Sequence, residues 1–351
     1  MIDVLRGWYT RHFSDPQAVI LALMLIFGFV LIAFMGNVLT PVIAAVVIAY
    51  VLEGVVWRLR NLKIPHVLAV SLVVVGFVVT LLILMLGLSP LISKQLTQFF
   101  LEVPNMLSKG QSLLISLPQD YPFISETQIQ EIVSHINNEL ASVGQLVVSW
   151  SLSSVVNLFT VLVYMVVVPL LVFFFLKDKE SILKWLSRFL PKEDGLATKV
   201  WKDVDKKIGS YIRGKLFEVV VVGIATYIPL KIFDLQYAAL LSLFVGLSVI
   251  IPYVGAIAVT IPVALIAYFQ FGPGSEFLYI MLAYLIVQFL DGNLLVPLLF
   301  SEVVNMHPAA IIMAVLVFGG LWGVWGVFFA IPLATLIQGV INAWPEEIEK
   351  V

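Results

Sequence analysis

One acidic residue, Asp291, lies deep inside a long apolar run of the chain. An ionisable group in such a setting is costly, so it marks a candidate site. Gln288 and Asp291 are three residues apart and share a helix face, and Asn293 follows. Gly292 and Pro297 can loosen the helix and expose carbonyl oxygens. The group predicts a site that coordinates a cation, accepts a proton or binds a polar solute. Alternatively, the run is two half-helices and Asp291 caps a water-exposed turn.

A second acidic residue, Glu218, lies where another apolar run begins. Arg213 precedes it by five residues and Lys215 by three, so helical spacing favours Lys215 as its partner. Glu218 and Arg213 are candidate pathway residues. The alternative is an ordinary interfacial charge whose partner reaches the membrane surface with its long side chain.

Other charged residues predict structural pairs. Glu53, near the end of an apolar run, is expected to pair with Arg58 or Arg60. Lys231 and Asp234 are expected to pair at a short turn, where their spacing of three suits a helix end.

A third candidate site is a break in the apolar segment that follows. Pro252 removes a backbone donor and Gly255 permits unusual dihedral angles, so a kink or a hairpin tip is expected. Tyr253, between them, can supply a hydroxyl group. The sequence does not say whether this tip binds anything.

Composition defines the class of protein that must position these residues. Of 351 residues, 61% are hydrophobic and 12% are charged. Soluble domains are about 45–50% apolar and about 25% charged. The charged outer surface of a soluble protein is therefore missing, and lipid must be the solvent for much of the chain. The sequence predicts an all-α, polytopic integral membrane protein.

Several function classes are excluded by what the chain lacks. The net charge of −2 gives no field for nucleic acid, and there is no cysteine for thiol chemistry or thiolate metal sites. The histidines have no metal-ligand spacing, no phosphate-binding loop is present, and an aspartic protease would need two facing carboxylates. We therefore expect no enzyme activity and no cofactor. The histidines are His12, His66, His135 and His307.

A membrane-spanning helix needs about 20 mostly apolar residues. About eight hydrophobic elements meet this pattern: 17–35, 41–57, 66–89, 152–176, 216–233, 237–270, 277–300 and 309–343. Two of them, 237–270 and 309–343, are too long for one simple span and are interrupted by Gly and Pro. They are either single broken helices or hairpins that enter and leave on one side.

These two long elements resemble each other weakly. Gly255 and Ile261-Pro262 of the first correspond to Gly326 and Ile331-Pro332 of the second. Paired, Gly/Pro-broken segments indicate the substrate site of transporters, because a broken helix frees backbone groups for a ligand. Chance similarity between apolar segments is the alternative explanation.

The basic residues predict the orientation in the membrane. Segment 177–215 carries eleven of the twenty Lys and Arg residues. With alternating spans it shares one side with Arg6, Arg11 and the 58–63 loop, so the N-terminus is expected in the cytoplasm. The predicted division is 1–90, three transmembrane helices; 91–150, an extracytoplasmic amphipathic helical subdomain; 151–176, a fourth span; 177–215, a basic cytoplasmic helical segment; and 216–351, a transport core with broken helices.

The chain resembles the AI-2E family of bacterial membrane proteins, which includes autoinducer-2 exporters and PerM-like permeases. The resemblance lies in an ordered set of motifs: Pro169 with 173–178, Tyr211-Ile212-Arg213-Gly214, 251–255, 288–297, His307-Pro308 and 319–332. It implies an inner-membrane secondary transporter that forms homo-oligomers. Lys215 departs from the glutamine expected at this position in many members. A positive charge there would change what passes if the position lines a pathway.

The leading hypothesis is export of a small polar solute, such as autoinducer-2, driven by an ion gradient. Exchange of sodium or another cation for protons is the alternative within transport, with Asp291 as proton carrier. A structural or regulatory membrane scaffold, acting through 91–150 and the cytoplasmic segment, is the alternative from another class.

Overall fold

A computed structural model describes residues 16–120, 163–189, 196–252, 254–300 and 306–343, with five isolated positions between 127 and 134. Every regular element in these ranges is helical. The helices are α1 (Pro16–Asn61), α2 (His66–Asp120), α3 (Val163–Lys177), α4 (Lys179–Leu186), α5 (Leu196–Ile232), α6 (Ala238–Ser248), α7 (Val254–Phe271), α8 (Ser275–Leu290), α9 (Val296–Phe300) and α10 (Pro308–Ala343).

Five helical stretches in the described part of the chain are long and apolar enough to cross a membrane. They are 38–61, 66–112, 254–271, 275–300 and 308–339, and the apolar helices α3 and α6 are shorter. The prediction of an all-helical, multi-pass membrane protein is therefore confirmed. The expected number of eight spanning elements is not reproduced.

Helix α1 joins two runs that the sequence analysis counted separately, 17–35 and 41–57. It is continuous over 46 residues and contains Pro41. At 1.5 Å per residue its length is about 69 Å, more than twice the hydrocarbon thickness of a bilayer. The expected break between the two runs is absent, because Gly36 and Asn37 are both accommodated within the helix.

The end of α1, the start of α2 and the end of α3 lie close together. Small and β-branched side chains of α1, α2 and α3 form a common buried cluster that includes Ala45, Ala69 and Val172. At its end, His66 Nε2 lies 3.1 Å from the Lys177 carbonyl oxygen. These contacts place the 58–63 loop beside the start of the basic segment.

An ion pair between α1 and α4 corrects one expected partner. Glu53 Oε1 lies 3.0 Å from Lys179 Nζ. The prediction that Glu53 pairs with Arg58 or Arg60 is wrong, because α4 brings a distant lysine closer than the neighbours on α1. The predicted Lys231–Asp234 pair is confirmed, with 3.1 Å between Nζ and Oδ1.

Helices α6 and α7 form a helical hairpin. They share a buried cluster with α5 and α8, in which Val245 of α6 and Val263 of α7 are fully buried. The connection is tight: a Cβ atom on Gly255 would overlap the backbone carbonyl oxygen of Ser248. Only glycine allows this backbone approach.

Helix α10 folds back on itself at Gly323, which has φ 60° and ψ −135°. Residues before and after this point, such as Phe318 and Ala330, pack in one buried cluster. A Cβ atom on Gly326 would overlap the carbonyl oxygen of Phe318. In a straight helix, residues eight apart, such as Phe318 and Gly326, are separated by about 12 Å. Their close backbone approach shows that 308–322 and 324–343 form a second hairpin.

Helix α2 contacts the first hairpin at the start of α6, the end opposite the tip. The Gln95 side-chain oxygen accepts a hydrogen bond from the Leu240 amide at 2.9 Å, which satisfies a free donor at the start of α6. Phe99 packs edge-on against Tyr237, with ring centroids 5.6 Å apart. The part of α2 beyond residue 90 therefore positions the hairpin.

We predict that Gly255→Ala destabilises the protein by about 1–3 kcal/mol, because the new methyl group forces two backbones apart. Thermal unfolding of the purified protein measures this effect. Gly76→Ala is the matched control, since nothing lies within 4 Å of a Cβ there. Equal stability of the two variants would contradict the close packing of the hairpin.

Candidate functional site

Helix α5 changes character along its length. Its first half carries many charged residues, and its second half, from Leu216 onward, is mostly apolar, with Glu218 and Lys231 as its only charged residues. At the change, Lys215 Nζ donates to Glu218 Oε2 at 2.8 Å, and the two side chains are only 6% and 2% exposed. The pairing predicted from spacing is confirmed. Whether the pair also lies at the membrane interface stays open.

Aromatic side chains from three helices enclose the ion pair. The Lys215 ammonium lies 5.2 Å from the ring centroid of Phe300 on α9. Tyr211, one helical turn before Lys215, packs against Phe300 and against Phe328 of the second hairpin. Ile250, at the tip of the first hairpin, packs on the same cluster. Both hairpins therefore converge on this section of α5.

Asp291 begins a π-helical turn, Asp291–Leu295, between α8 and α9. The Val296 amide donates to the Asp291 carbonyl, five residues earlier. Pro297 has no N–H, so the usual donor to the Asn293 carbonyl is missing. The run is thus one helical element with a local widening, a feature that is frequent at functional sites.

The side chain of Asp291 is half-buried, and its Oδ1 atom is buried without a hydrogen-bond partner among the described residues. The π-helical turn of Asp291 leads into α9, and α9 packs on α5 at Gly214 and Lys215 through Phe300. A buried polar atom without a partner is costly, which makes this position suited to a ligand.

A chain of hydrogen bonds links α7 to α8 near this centre. Gln288 Nε2 donates to the Tyr284 hydroxyl at 3.1 Å, and that hydroxyl lies 2.9 Å from Thr260 Oγ1. Thr260 in turn donates to the Ala256 carbonyl in the first turn of α7. The chain orients Gln288 and couples its position to the first hairpin.

Thr260 is also the polar residue of a surface groove of 410 Å³ on α7. The groove is lined by Ile257, Thr260, Ile261, Ala264 and Leu265. A single helix supplies the lining, so the groove is open, and its side chains other than Thr260 are apolar. It lacks the convergent polar groups of a small-molecule site.

The remaining predicted site residues lie around this centre and not within it. Asn293 is exposed, and its amide donates to the Phe289 carbonyl at 3.0 Å. Pro252 and Gly255 lie at the tip of the first hairpin, where the Val254 amide donates to the Pro252 carbonyl. Tyr253 lies outside the described residues.

Arg213 faces a different neighbour. It is exposed, and its guanidinium carbon lies 5.9 Å from the ring centroid of Tyr50 on α1. The Tyr50 hydroxyl donates to Asp205 Oδ1 at 2.5 Å. Arg213 therefore helps to hold α5 against α1, away from the buried charges.

Three residues of the site were missed by the sequence analysis. Thr260 and Tyr284 carry the hydrogen-bond chain, and Tyr211 is fully buried with no partner for its hydroxyl among the described residues. Polar groups within apolar helices were the available signal. Tyr284 also precedes Gln288 by four residues, which places both on one helix face.

The polar groups of the centre are the Lys215–Glu218 pair, Asp291 and Gln288. Within the described ranges, no three His, Asp or Glu side chains are grouped to hold a metal ion. The apolar helices and the charges buried between them define a multi-pass helical membrane protein with an ionisable centre.

The chain belongs to the AI-2E family, because the family model described as "AI-2E family transporter" matches residues 20–346. It is 48% identical to "Putative permease PerM" of Escherichia coli (strain K12), over 99% of this chain and 98% of that one. It is 30% identical to "Putative transport protein YueF" of Bacillus subtilis (strain 168), over 88% and 84% of the two chains. It is also 21% identical to "AI-2 transport protein TqsA" of Escherichia coli (strain K12), over 88% and 86%. The resemblance inferred from the motifs is confirmed.

We predict that Glu218→Gln destabilises the protein by about 3–5 kcal/mol, because it leaves the Lys215 ammonium buried without a counter-charge. Chemical unfolding of the purified protein measures the loss. Asp234→Asn is the matched control: it breaks another Lys–acid pair of the same spacing, whose side chains are 61% and 83% exposed. That change should cost about 0–1 kcal/mol, and similar losses in both variants would contradict the burial of Glu218.

Proposed function

We propose that the protein is a secondary transporter that exports a small polar solute and is driven by an ion gradient. The observation that carries this proposal is the buried, unpartnered Asp291 oxygen at the π-helical turn, beside the Lys215–Glu218 pair. A fixed carboxylate in an apolar helix bundle is retained at a cost in stability, and such groups mark ion and solute pathways.

Autoinducer-2 is the first solute to test. The support comes from the printed name of one relative, "AI-2 transport protein TqsA", which is 21% identical to this chain. The centre offers Asp291 and Gln288 as hydrogen-bonding groups for a polar molecule. Sodium and protons are the candidate coupling ions, since both bind to carboxylates.

The two hairpins are proposed as the elements that open and close the pathway. Each has a glycine that allows close backbone approach, Gly255 in the first and Gly326 in the second, at corresponding positions of the weak sequence repeat. Both pack on α5 near Tyr211. Broken elements in two repeats are typical of transporters whose site lies between the repeats.

The cellular placement is also a proposal. We propose the inner membrane of a bacterium, a homo-oligomer, and a cytoplasmic side at the cluster of basic ends formed by the 58–63 loop and Lys177. The division at residues 90, 150, 176 and 215 belongs to the same proposal. The proposal of a cytoplasmic N-terminus rests on Arg6 and Arg11. The continuous helix α1 does not support this proposal. If α1 crosses the membrane once and its end at the 58–63 loop is cytoplasmic, its start lies on the other side.

We predict that Asp291→Asn reduces solute flux in proteoliposomes by at least about tenfold, which corresponds to a loss of about 1.4 kcal/mol in the rate-limiting step. The amide keeps the size of the side chain and removes its charge. Autoinducer-2 is followed in one arm, and the internal pH change caused by a sodium gradient in the other. Asp234→Asn, which changes an exposed aspartate, is the control and should keep the flux of the unmodified chain.

Each outcome has a distinct meaning. Solute flux that Asp291→Asn abolishes supports the exporter and its site. A sodium-driven pH change without solute flux favours cation/proton exchange. Full activity of folded Asp291→Asn protein would overturn the assignment of the site.

A further inference from the structure

Lys215 is the one basic residue in the described part of the chain whose side chain is buried. Its ammonium lies 2.8 Å from Glu218 Oε2. The side chain is 6% exposed, and an aromatic ring, that of Phe300, covers it at 5.2 Å. An ammonium group so enclosed is fixed in place and does not exchange with solution.

A carboxylate buried in an apolar environment needs a positive partner. In an ion-coupled transporter that partner is a cation taken from solution. Here the chain supplies it, because Lys215 is placed three residues before Glu218 on one helix face. The Glu218 position is thus occupied by a cation that cannot leave.

We propose that Lys215 is a built-in counter-ion that occupies the cation position of Glu218, so that Glu218 binds no transported metal cation and coupling is left to Asp291. This inference rests on the proposed transport site. It divides the two acidic residues of that site into a structural one, Glu218, and a functional one, Asp291.

Two further oxygen atoms near the pair would be ligands for a cation if Lys215 were removed. Tyr211 is 1% exposed, and its hydroxyl has no hydrogen-bond partner among the described residues. Tyr211 packs against the Phe300 ring that covers Lys215. Together with Glu218 and the free Asp291 Oδ1, it offers only oxygen atoms, which suits a hard cation such as Na⁺.

We predict that Lys215→Gln converts this position into a cation site. The variant is reconstituted in lipid nanodiscs, and its unfolding midpoint is compared in NaCl, KCl and choline chloride at equal ionic strength and fixed pH. In choline the midpoint should fall by on the order of 5–10 °C, because Glu218 has lost its counter-charge. NaCl or KCl should restore it in a saturable way, as expected for a ligand that binds the folded state.

Three controls make the result specific. The unmodified chain sets the baseline: any Na⁺ effect on its midpoint, such as that of an ion bound at Asp291, should persist in Glu218→Gln protein. Lys231→Gln, which removes the exposed lysine of the Lys231–Asp234 pair, should behave like the unmodified chain. The double variant Lys215→Gln with Glu218→Gln has no buried charge at the pair, so its response to Na⁺ and K⁺ should be no larger than that of the unmodified chain.

The inference is overturned if the midpoint of folded Lys215→Gln protein responds to Na⁺ and K⁺ no more than that of the unmodified chain. It is equally overturned if Na⁺ stabilises the unmodified chain and Glu218→Gln removes that effect. Should the variant fold in NaCl or KCl but not in choline, the inference is supported; failure to fold in every salt contradicts it. Because unfolding is measured without transport, these outcomes are independent of the flux experiment that tests the proposed function.

Discussion

The buried Lys215–Glu218 ion pair is the interaction on which the arrangement of the transport region depends. Charges removed from water are stable only with close partners and satisfied hydrogen bonds. The pair meets this condition at 2.8 Å and is covered by Phe300. The helix α5 that carries it must therefore be enclosed, and α9, both hairpins and the π-helical turn of Asp291 pack around that section.

Close backbone packing explains how two hairpins reach one helix. Each turns back over a short distance because a glycine, Gly255 or Gly326, lies against the carbonyl of the preceding helix. The first hairpin is also held by Gln95 and Phe99, so the part of α2 beyond residue 90 positions the core. Rigid hairpins joined at narrow turns are suited to move as units between two arrangements.

Local features of the site could be predicted from the sequence, and distant ones could not. The Lys215–Glu218 pair and the helix loosening at Asp291 follow from spacing, glycine and proline within a few residues. The partner of Glu53 could not be predicted, because Lys179 lies on another helix. The hydrogen bond between Thr260 and Tyr284 likewise depends on the register between α7 and α8. The runs 17–35 and 41–57, counted separately from their apolar residues alone, lie in one continuous helix, because the residues between them do not end it.

The central claim is that Asp291 lies on a pathway that opens to both sides of the membrane. The chain contains no cysteine, so Asp291→Cys introduces a single thiol that a membrane-impermeant reagent can label. The account predicts labelling both in right-side-out and in inside-out vesicles, while Asp234→Cys, at the turn after α5, is labelled from one side. Absence of labelling at position 291 from either or both sides of folded protein would contradict the account.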